Sequence, residues 1–129
     1  MIHYELLGVP TPLHRPRFAR GHAYDDQKAK KLVDWLSIKH QHGKNPYFIE
    51  NVQLDATFIF EIPKSWTKKQ KDFWLNKPCN NRIDLDNLLK YVADVCMGVC
   101  YTDDRIITSI SAEKIYGVQA KTLFTLSTI

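Results

Sequence analysis

Apolar and polar residues alternate in the first segment of the chain, where the apolar positions are Ile2, Tyr4 and Leu6. A period of two is typical of a β-strand that buries one face. The turn-forming residues Gly8 and Pro10 end this pattern. The first predicted element is therefore a strand.

Three further segments have strand patterns. The longest covers residues 51–63, in which an apolar residue recurs at every second position from Val52 to Phe60 before Pro63 ends the run. This alternation predicts a long, half-buried strand. Residues 105–117, with Ile106 and Ile110 in alternation, and residues 121–129 predict the last two strands.

Three segments have helical spacing instead. In residues 25–41 the apolar face is predicted to consist of Ala29, Leu32, Val33 and Leu36. Asp25 or Asp26 is the expected N-cap of this helix, and Gly43 follows its end. A short helix at residues 66–76 is predicted to start after a Ser65 cap, with apolar contacts from Trp66, Phe73 and Trp74.

The third predicted helix covers residues 87–97, with Asp86 as its N-cap and Gly98 as its stop. Residues 9–24 have no periodic pattern and are expected to form a long loop, which in a compact domain is usually functional or mobile. The order β-α-β-α-α-β-β favours a single α+β domain over residues 1–129, with a mixed β-sheet packed against helices.

The composition is that of a globular protein with a basic excess. Apolar residues make up 44% of the chain, charged residues 25%, and the formal net charge is +4. No apolar stretch is long enough to cross a membrane, and the N-terminus lacks a secretory pattern, so we expect a cytoplasmic protein. Cys79, Cys96 and Cys100 lack disulfide-framework or zinc-knuckle spacing and are expected to be free thiols.

Several enzyme classes are disfavoured by missing motifs. The chain has no Gly-rich Walker loop and no G-x-S-x-G sequence, which argues against NTP hydrolysis and serine-hydrolase chemistry. Its five histidines are scattered, so a histidine metal site is not expected.

Carboxylates are concentrated at the two ends of the third predicted helix. Asp84 and Asp86 precede it and Asp103 and Asp104 follow it, which places four of the 14 acidic residues in one short window. If Asp84 and Asp86 lie in extended chain, residues i and i+2 point in the same direction. Lys90 lies one helical turn after Asp86 and can project toward the same end.

Convergent carboxylates repel one another unless a cation neutralises them, and hard oxygen ligands suit Mg²⁺ or Mn²⁺. Such an ion can activate water and stabilise charge in phosphodiester hydrolysis, with Lys90 assisting. The spacing alone leaves a second interpretation open, in which Asp86 is only a helix cap, residues 103–104 form a polar turn, and Lys90 pairs with Asp94.

Two basic segments could contact DNA phosphates. The first contains Arg15, Arg17 and Arg20, and the second has five lysines in residues 63–77, among them Lys64, Lys68 and Lys69. Taken separately, each segment also fits an ordinary solvated loop or helix face.

Several motifs together resemble the RusA family of Holliday-junction resolvases. They are "RPRF" at 15–18, "PKSWTKKQK" from residue 63, "DLDNLLK" at 84–90 and "YTDD" at 101–104. The chain departs from the family pattern at Ile83, where many relatives have proline before the first aspartate. This change removes no ligand.

The resemblance implies a homodimeric, magnesium-dependent endonuclease of bacterial or phage origin that nicks two strands of a four-way DNA junction symmetrically in recombination and repair. It places the catalytic aspartates at Asp84, Asp86 and Asp104 and the catalytic lysine at Lys90. Asp103 is an additional candidate ligand. The alternatives are a non-catalytic DNA-binding module and a nuclease that acts on other branched DNA.

Overall fold

A computed structural model describes residues 1–15 and 17–129, with the side chain of Arg17 outside the description. Pro16, part of the RPRF motif, also lies outside the described residues. The elements, in chain order, are β1 (Ile2–Leu7), β2 (Arg17–Ala19), β3 (His22–Tyr24), α1 (Lys28–His42), β4 (Val52–Glu61), α2 (Lys68–Trp74), α3 (Leu85–Val95), a 3₁₀ turn (Asp104–Ile106), β5 (Ile107–Gly117) and β6 (Lys121–Thr128).

The main sheet has four strands in the order β1-β6-β4-β5. Strands β4 and β5 run parallel, whereas the β1–β6 and β4–β6 pairs are antiparallel. The mixed sheet and the helices packed on it confirm the predicted α+β class. As expected from the alternation in β4, Leu54 and Phe58 are buried in the core, together with Leu88 and Val92 of α3.

The predicted apolar face of α1 is wrong. Leu32, Val33 and Leu36 are 57%, 64% and 52% exposed, and Ala29 is exposed as well. The helix buries the opposite side, which carries Asp34, Ile38 and His42. Two of these three residues are polar, and a pattern that equates burial with apolar character therefore selects the wrong face.

Polar partners from distant segments make this burial possible. The Tyr91 hydroxyl donates to Asp34 Oδ2 at 2.6 Å, and Lys30 Nζ donates to the same carboxylate. His42 lies 2.7 Å from the Tyr4 hydroxyl through Nδ1 and 3.2 Å from the Pro46 carbonyl through Nε2. A carbonyl only accepts, so Nε2 carries the proton and Nδ1 accepts from Tyr4.

Removal of the Tyr4 hydroxyl is expected to destabilise the fold. Tyr4→Phe leaves the buried Nδ1 of His42 without a donor, which costs about 1–3 kcal/mol. Urea unfolding measures this loss. Tyr47→Phe is the matched control, because Tyr47 is 47% exposed and water can replace its bond to the Gly98 carbonyl. Equal losses in the two variants would contradict the role of the buried pair.

The helix starts differ from those predicted. Helix α1 has Gln27 at its N-cap, in place of Asp25 or Asp26, and the Asp25 carboxylate accepts from the Gln27 N–H. Helix α2 is capped by Thr67, in place of Ser65, in a reciprocal capping box. Helix α3 has Asp84 at its N-cap, two residues earlier than the predicted Asp86.

Other features follow the expectations from sequence. The three cysteines are buried and free. In the described segments, no helix has both the length and the apolar character needed to span a membrane.

Candidate active site

An open groove of about 370 Å³ lies between α3 and the start of β5. Its lining residues are Leu54, Asp86, Leu89, Lys90, Ala93, Asp104, Ile107 and Ile110. Asp86, Lys90 and Ala93 share one face of α3, because residues four and three apart are neighbours on a helix. The 3₁₀ turn that leads into β5 brings Asp104 to the same groove, which therefore has an apolar floor and charged walls.

Asp86 and Lys90 are accessible at this groove. Asp86 Oδ2 lies 3.8 Å from Lys90 Nζ, and the two side chains are 71% and 64% exposed. An exposed pair at this distance contributes little to stability. Lys90 was an alternative partner for Asp94, but Asp94 instead pairs with Lys31 of α1 at 3.2 Å. Both Asp86 and Lys90 thus remain free to contact a ligand.

The sequence predicts a shared direction for Asp84 and Asp86 only if both lie in extended chain, and they do not. Asp84 is extended at the N-cap, whereas Asp86 already lies in the first helical turn. The alternation argument for their shared direction is therefore wrong. Asp84 makes no side-chain capping bond, although an N-cap aspartate usually accepts from a first-turn N–H. Asp84 is also not among the residues that line the groove.

The two acidic residues after α3 have different environments. Asp103 Oδ1 accepts from the Arg105 N–H at 2.9 Å, and Arg105 Nε lies 3.6 Å from Asp103 Oδ2. This carboxylate therefore caps the 3₁₀ turn. Asp104, in contrast, lines the groove. Of these two residues, only Asp104 lines the groove.

The wall of the groove is supported from behind by Tyr101. This residue is buried, and its hydroxyl donates to the Ala93 carbonyl at 2.7 Å. Burial raises the pKa of Tyr101, with a smaller contribution from nearby acidic groups that include Asp104. The phenol therefore stays protonated and keeps its bond to α3.

The arrangement can be tested against the needs of a divalent cation. Among the described residues, no three His, Cys, Asp or Glu side chains form a ready-made metal cluster. Asp86 and Asp104 nevertheless offer only hard oxygen ligands at one groove. Mg²⁺ commonly binds through one or two carboxylates and completes its shell with water and substrate phosphate. The donor set fits such an ion.

The first basic segment lies next to this site. The predicted loop at residues 9–24 contains a short β2–β3 hairpin, which the sequence did not predict. Its turn residues, Arg20 and Gly21, have φ values of 52° and 78°. Two consecutive positive φ angles are typical of the tight turns that match strand twist. Arg15 and Arg20 are exposed, and Arg17 is placed only through its backbone.

A backbone bond connects the start of the loop that carries these arginines to α3. The Leu13 N–H donates to the Asn87 carbonyl at 2.9 Å, directly after Asp86 in the chain. Buried Gln27 holds the same segment, since its Oε1 accepts from the His14 N–H and its Nε2 donates to the Pro12 carbonyl. Residues 12–14, directly before Arg15, are thus held beside the first turn of α3.

The second basic segment is farther away. Lys64, Lys68 and Lys69 are exposed on and before α2. The aromatic residues of this segment pack against Tyr116, with ring centroids of Trp66 and Trp74 at 5.3 and 6.0 Å. Tyr116 lies six residues after Ile110 in β5, a distance of about 20 Å along a strand.

Comparison with known protein families agrees with this geometry. The family described as Endodeoxyribonuclease RusA matches residues 8–126 of the 129. The chain belongs to this family. A search of curated proteins found no significant match.

RusA proteins are endonucleases that act on Holliday junctions and depend on divalent metal ions. The matched residues include the whole groove and both basic segments of this RusA chain. The sequence did not predict the roles of Gln27 and Asn87, which bond residues 12–14 just before Arg15. Asn87 acts through its backbone carbonyl, and the Gln27 amide bonds a segment 13 to 15 residues away, so neither contact has a local sequence signal.

Proposed function

We propose that this RusA endonuclease resolves four-way DNA junctions by paired, symmetric, Mg²⁺-dependent nicks during recombination and repair. One observation carries the proposal: Asp86 and Lys90 of α3 and Asp104 before β5 line the same groove. The start of α3 and the turn before β5 thereby present two carboxylates and one ammonium group to the same groove.

Asp84, Asp86 and Asp104 would hold the Mg²⁺ ion, for which Mn²⁺ can substitute. The bound ion supplies a Lewis acid that activates water and stabilises charge on the phosphoryl oxygens. Asp86 of α3 and Asp104 before β5 would contribute ligands from two elements that line the groove. Asp84 precedes them in the chain without a capping bond of its own, so its carboxylate is available as a further ligand. Asp103 would remain the cap of the 3₁₀ turn that begins with Asp104.

Lys90 acts beside the carboxylates. Its ammonium group lies 3.8 Å from Asp86 and is 64% exposed, so it can approach a phosphate in the groove. A fixed positive charge at this place stabilises negative charge that develops on the reacting phosphate or its leaving oxygen. Lys90 would therefore contribute to the chemical step more than to DNA affinity.

The basic segments would hold the DNA backbone. Arg15, Arg17 and Arg20 belong to the segment that is bonded to α3, and we assign to them the phosphates next to the scissile one. Lys64, Lys68 and Lys69 belong to the segment that packs on Tyr116, which is about 20 Å from Ile110 along β5, so they would contact an arm of the junction several base pairs from the cut. Phosphate contacts of this kind position DNA without reading its sequence.

Symmetric nicking requires two active sites. One chain presents one such groove in its described part, and we therefore propose a homodimer in which each copy cuts one strand. We also propose that the enzyme acts in the bacterial cytoplasm, where such junctions form, whether the host or a phage encodes it.

Cleavage of a synthetic four-way junction tests this function. Incubation with Mg²⁺ should give paired nicks near the crossover, and EDTA should prevent them. A 5′-flap and a linear duplex of the same sequence are compared in parallel. Faster cleavage of the flap would indicate a nuclease for other branched DNA, and binding without cleavage at any metal concentration would indicate a non-catalytic DNA-binding module.

Loss of the arginines is expected to weaken junction binding. The double variant Arg15→Ala/Arg20→Ala should reduce the slope of log K against log salt by up to about 2, because each phosphate contact contributes about 0.9. Electrophoretic or fluorescence titrations at several salt concentrations measure the slope. The control is Lys39→Ala/Lys44→Ala, in the last turn of α1 and just after its end, which removes the same charge. An equal change in both variants would contradict a specific role for the arginine segment.

A further inference from the structure

Lys114 of β5 makes three hydrogen bonds to the loop that precedes Asp84. Its Nζ donates to the Asn81 carbonyl at 3.1 Å, to Asn81 Oδ1 at 2.8 Å and to the Ile83 carbonyl at 2.5 Å. An ammonium group has three N–H donors. All three therefore have partners within three consecutive residues, and the last of these directly precedes Asp84.

The loop is fixed at further points around Lys114. The Cys79 N–H donates to the Lys114 carbonyl at 3.0 Å, so both the backbone and the side chain of this lysine hold the loop. Asn81 Oδ1 also accepts from the Ile83 N–H at 3.3 Å. The path from Cys79 to Ile83 thus follows the surface of β5 until α3 begins.

Strand β5 connects the two acidic parts of the site. Its N-terminal end follows the turn that carries Asp104, and Lys114 lies seven residues after Ile107 in the same strand. A strand is a stiff connection compared with a loop. The hydrogen bonds that hold the loop to Lys114 therefore also fix where α3 begins relative to Asp104.

We propose that Lys114 is a positioning residue that sets Asp84 and Asp86 opposite Asp104 for metal binding. This inference rests on the proposed function of these aspartates. Lys114 does not line the groove, so it acts through the backbone of the loop and not on the substrate. Partners that orient metal ligands typically contribute roughly 10- to 100-fold in metal affinity or activity.

The test compares Lys114→Met with Lys121→Met. Both variants lose one lysine of the same sheet, but Lys121 pairs with Glu5 of β1 at 3.6 Å, away from the described contacts of Lys114 with residues 79–83. Electron paramagnetic resonance of free Mn²⁺ gives the dissociation constant of the protein without DNA. Hydrogen–deuterium exchange measures the mobility of residues 80–84, and junction cleavage is measured as a function of Mn²⁺ concentration.

We expect Lys114→Met to raise the Mn²⁺ dissociation constant by roughly 10- to 100-fold and to raise the half-maximal Mn²⁺ concentration for cleavage in parallel. Exchange in residues 80–84 should accelerate, while Lys121→Met should match the wild type in all three measurements. A folded Lys114→Met protein with wild-type Mn²⁺ affinity would overturn the proposal.

A second variant covers the case in which Lys114→Met does not fold. Asn81→Ala removes the Oδ1 that accepts from both Lys114 and Ile83 and leaves the lysine in place. It should also weaken Mn²⁺ binding, and unchanged binding would contradict the positioning role of Lys114. If the wild type binds Mn²⁺ but does not cut junctions, the proposed function fails, and the Mn²⁺ comparison still decides the role of Lys114.

Discussion

Asp86→Asn should lower junction cleavage by at least about a hundredfold while junction binding is retained. Even the partners that only orient metal ligands contribute roughly 10- to 100-fold, so loss of a ligand charge is expected to reach or exceed the upper end of that range. The amide has the shape of the carboxylate, and Asp86 is exposed at the groove, so the fold should tolerate the change. Removal of a negative charge also reduces repulsion of phosphate.

The measurement is single-turnover cleavage of a labelled junction at saturating enzyme, together with a binding titration in the absence of metal. Asp94→Asn on the same helix is the control, because Asp94 pairs with Lys31 and does not line the groove. Wild-type cleavage by Asp86→Asn would exclude this residue from the site. Loss of binding together with cleavage would point to a structural role.

Asp104→Asn should abolish cleavage far more completely than Asp103→Asn, although the two residues are adjacent. Asp104 lines the groove, whereas the Asp103 carboxylate accepts from the Arg105 N–H and caps the 3₁₀ turn. We expect a loss of at least about a hundredfold for Asp104→Asn by the same ligand argument. For Asp103→Asn we expect a change of less than about tenfold, because asparagine is also a good cap.

Cleavage rates of both variants are compared at the same Mg²⁺ concentration, and thermal melting is recorded for each. An order reversed from this expectation, with Asp103→Asn the more damaging change in a folded protein, would move the ligand role to Asp103. Equal and severe losses would show that both carboxylates contact the ion. Either result would contradict the site as described.

Strands with one buried face were predictable because their period is purely local. The alternation in residues 52–60 matches β4, and the segments at residues 2–7 and 121–128 match β1 and β6. The pairing of these strands was not predictable in the same way. The parallel β4–β5 contact depends on a connection that passes through both α2 and α3.

Helix α1 shows where the hydrophobic pattern fails. The pattern assigned Leu32 and Leu36 to the core, but the helix buries Asp34 and His42. These polar side chains are stabilised inside by Tyr91 and Tyr4, which lie 57 and 38 residues away in the sequence. A buried polar group is tolerated when it is hydrogen-bonded, and the partner cannot be identified from the helix itself.

The residue types of the candidate site were predictable from the sequence, but the return of Asp104 to the side of α3 was not. The spacing of Asp86 and Lys90 on one helix was apparent from the sequence. Whether Asp104 returned to that helix depended on the turn after α3 and on the packing of β5, neither of which has a local signal. Lys114 was not predicted for the same reason, because it bonds mainly backbone carbonyls about 30 residues earlier in the chain.

Anomalous scattering from crystals of the protein soaked in Mn²⁺ can show whether Asp86 and Asp104 bind one ion. We expect a peak in the groove within coordination distance of carboxylate oxygens from both residues, and its loss in Asp86→Asn crystals. A groove without anomalous density at Mn²⁺ concentrations that support cleavage, or a peak bound only by other residues, would contradict this expectation.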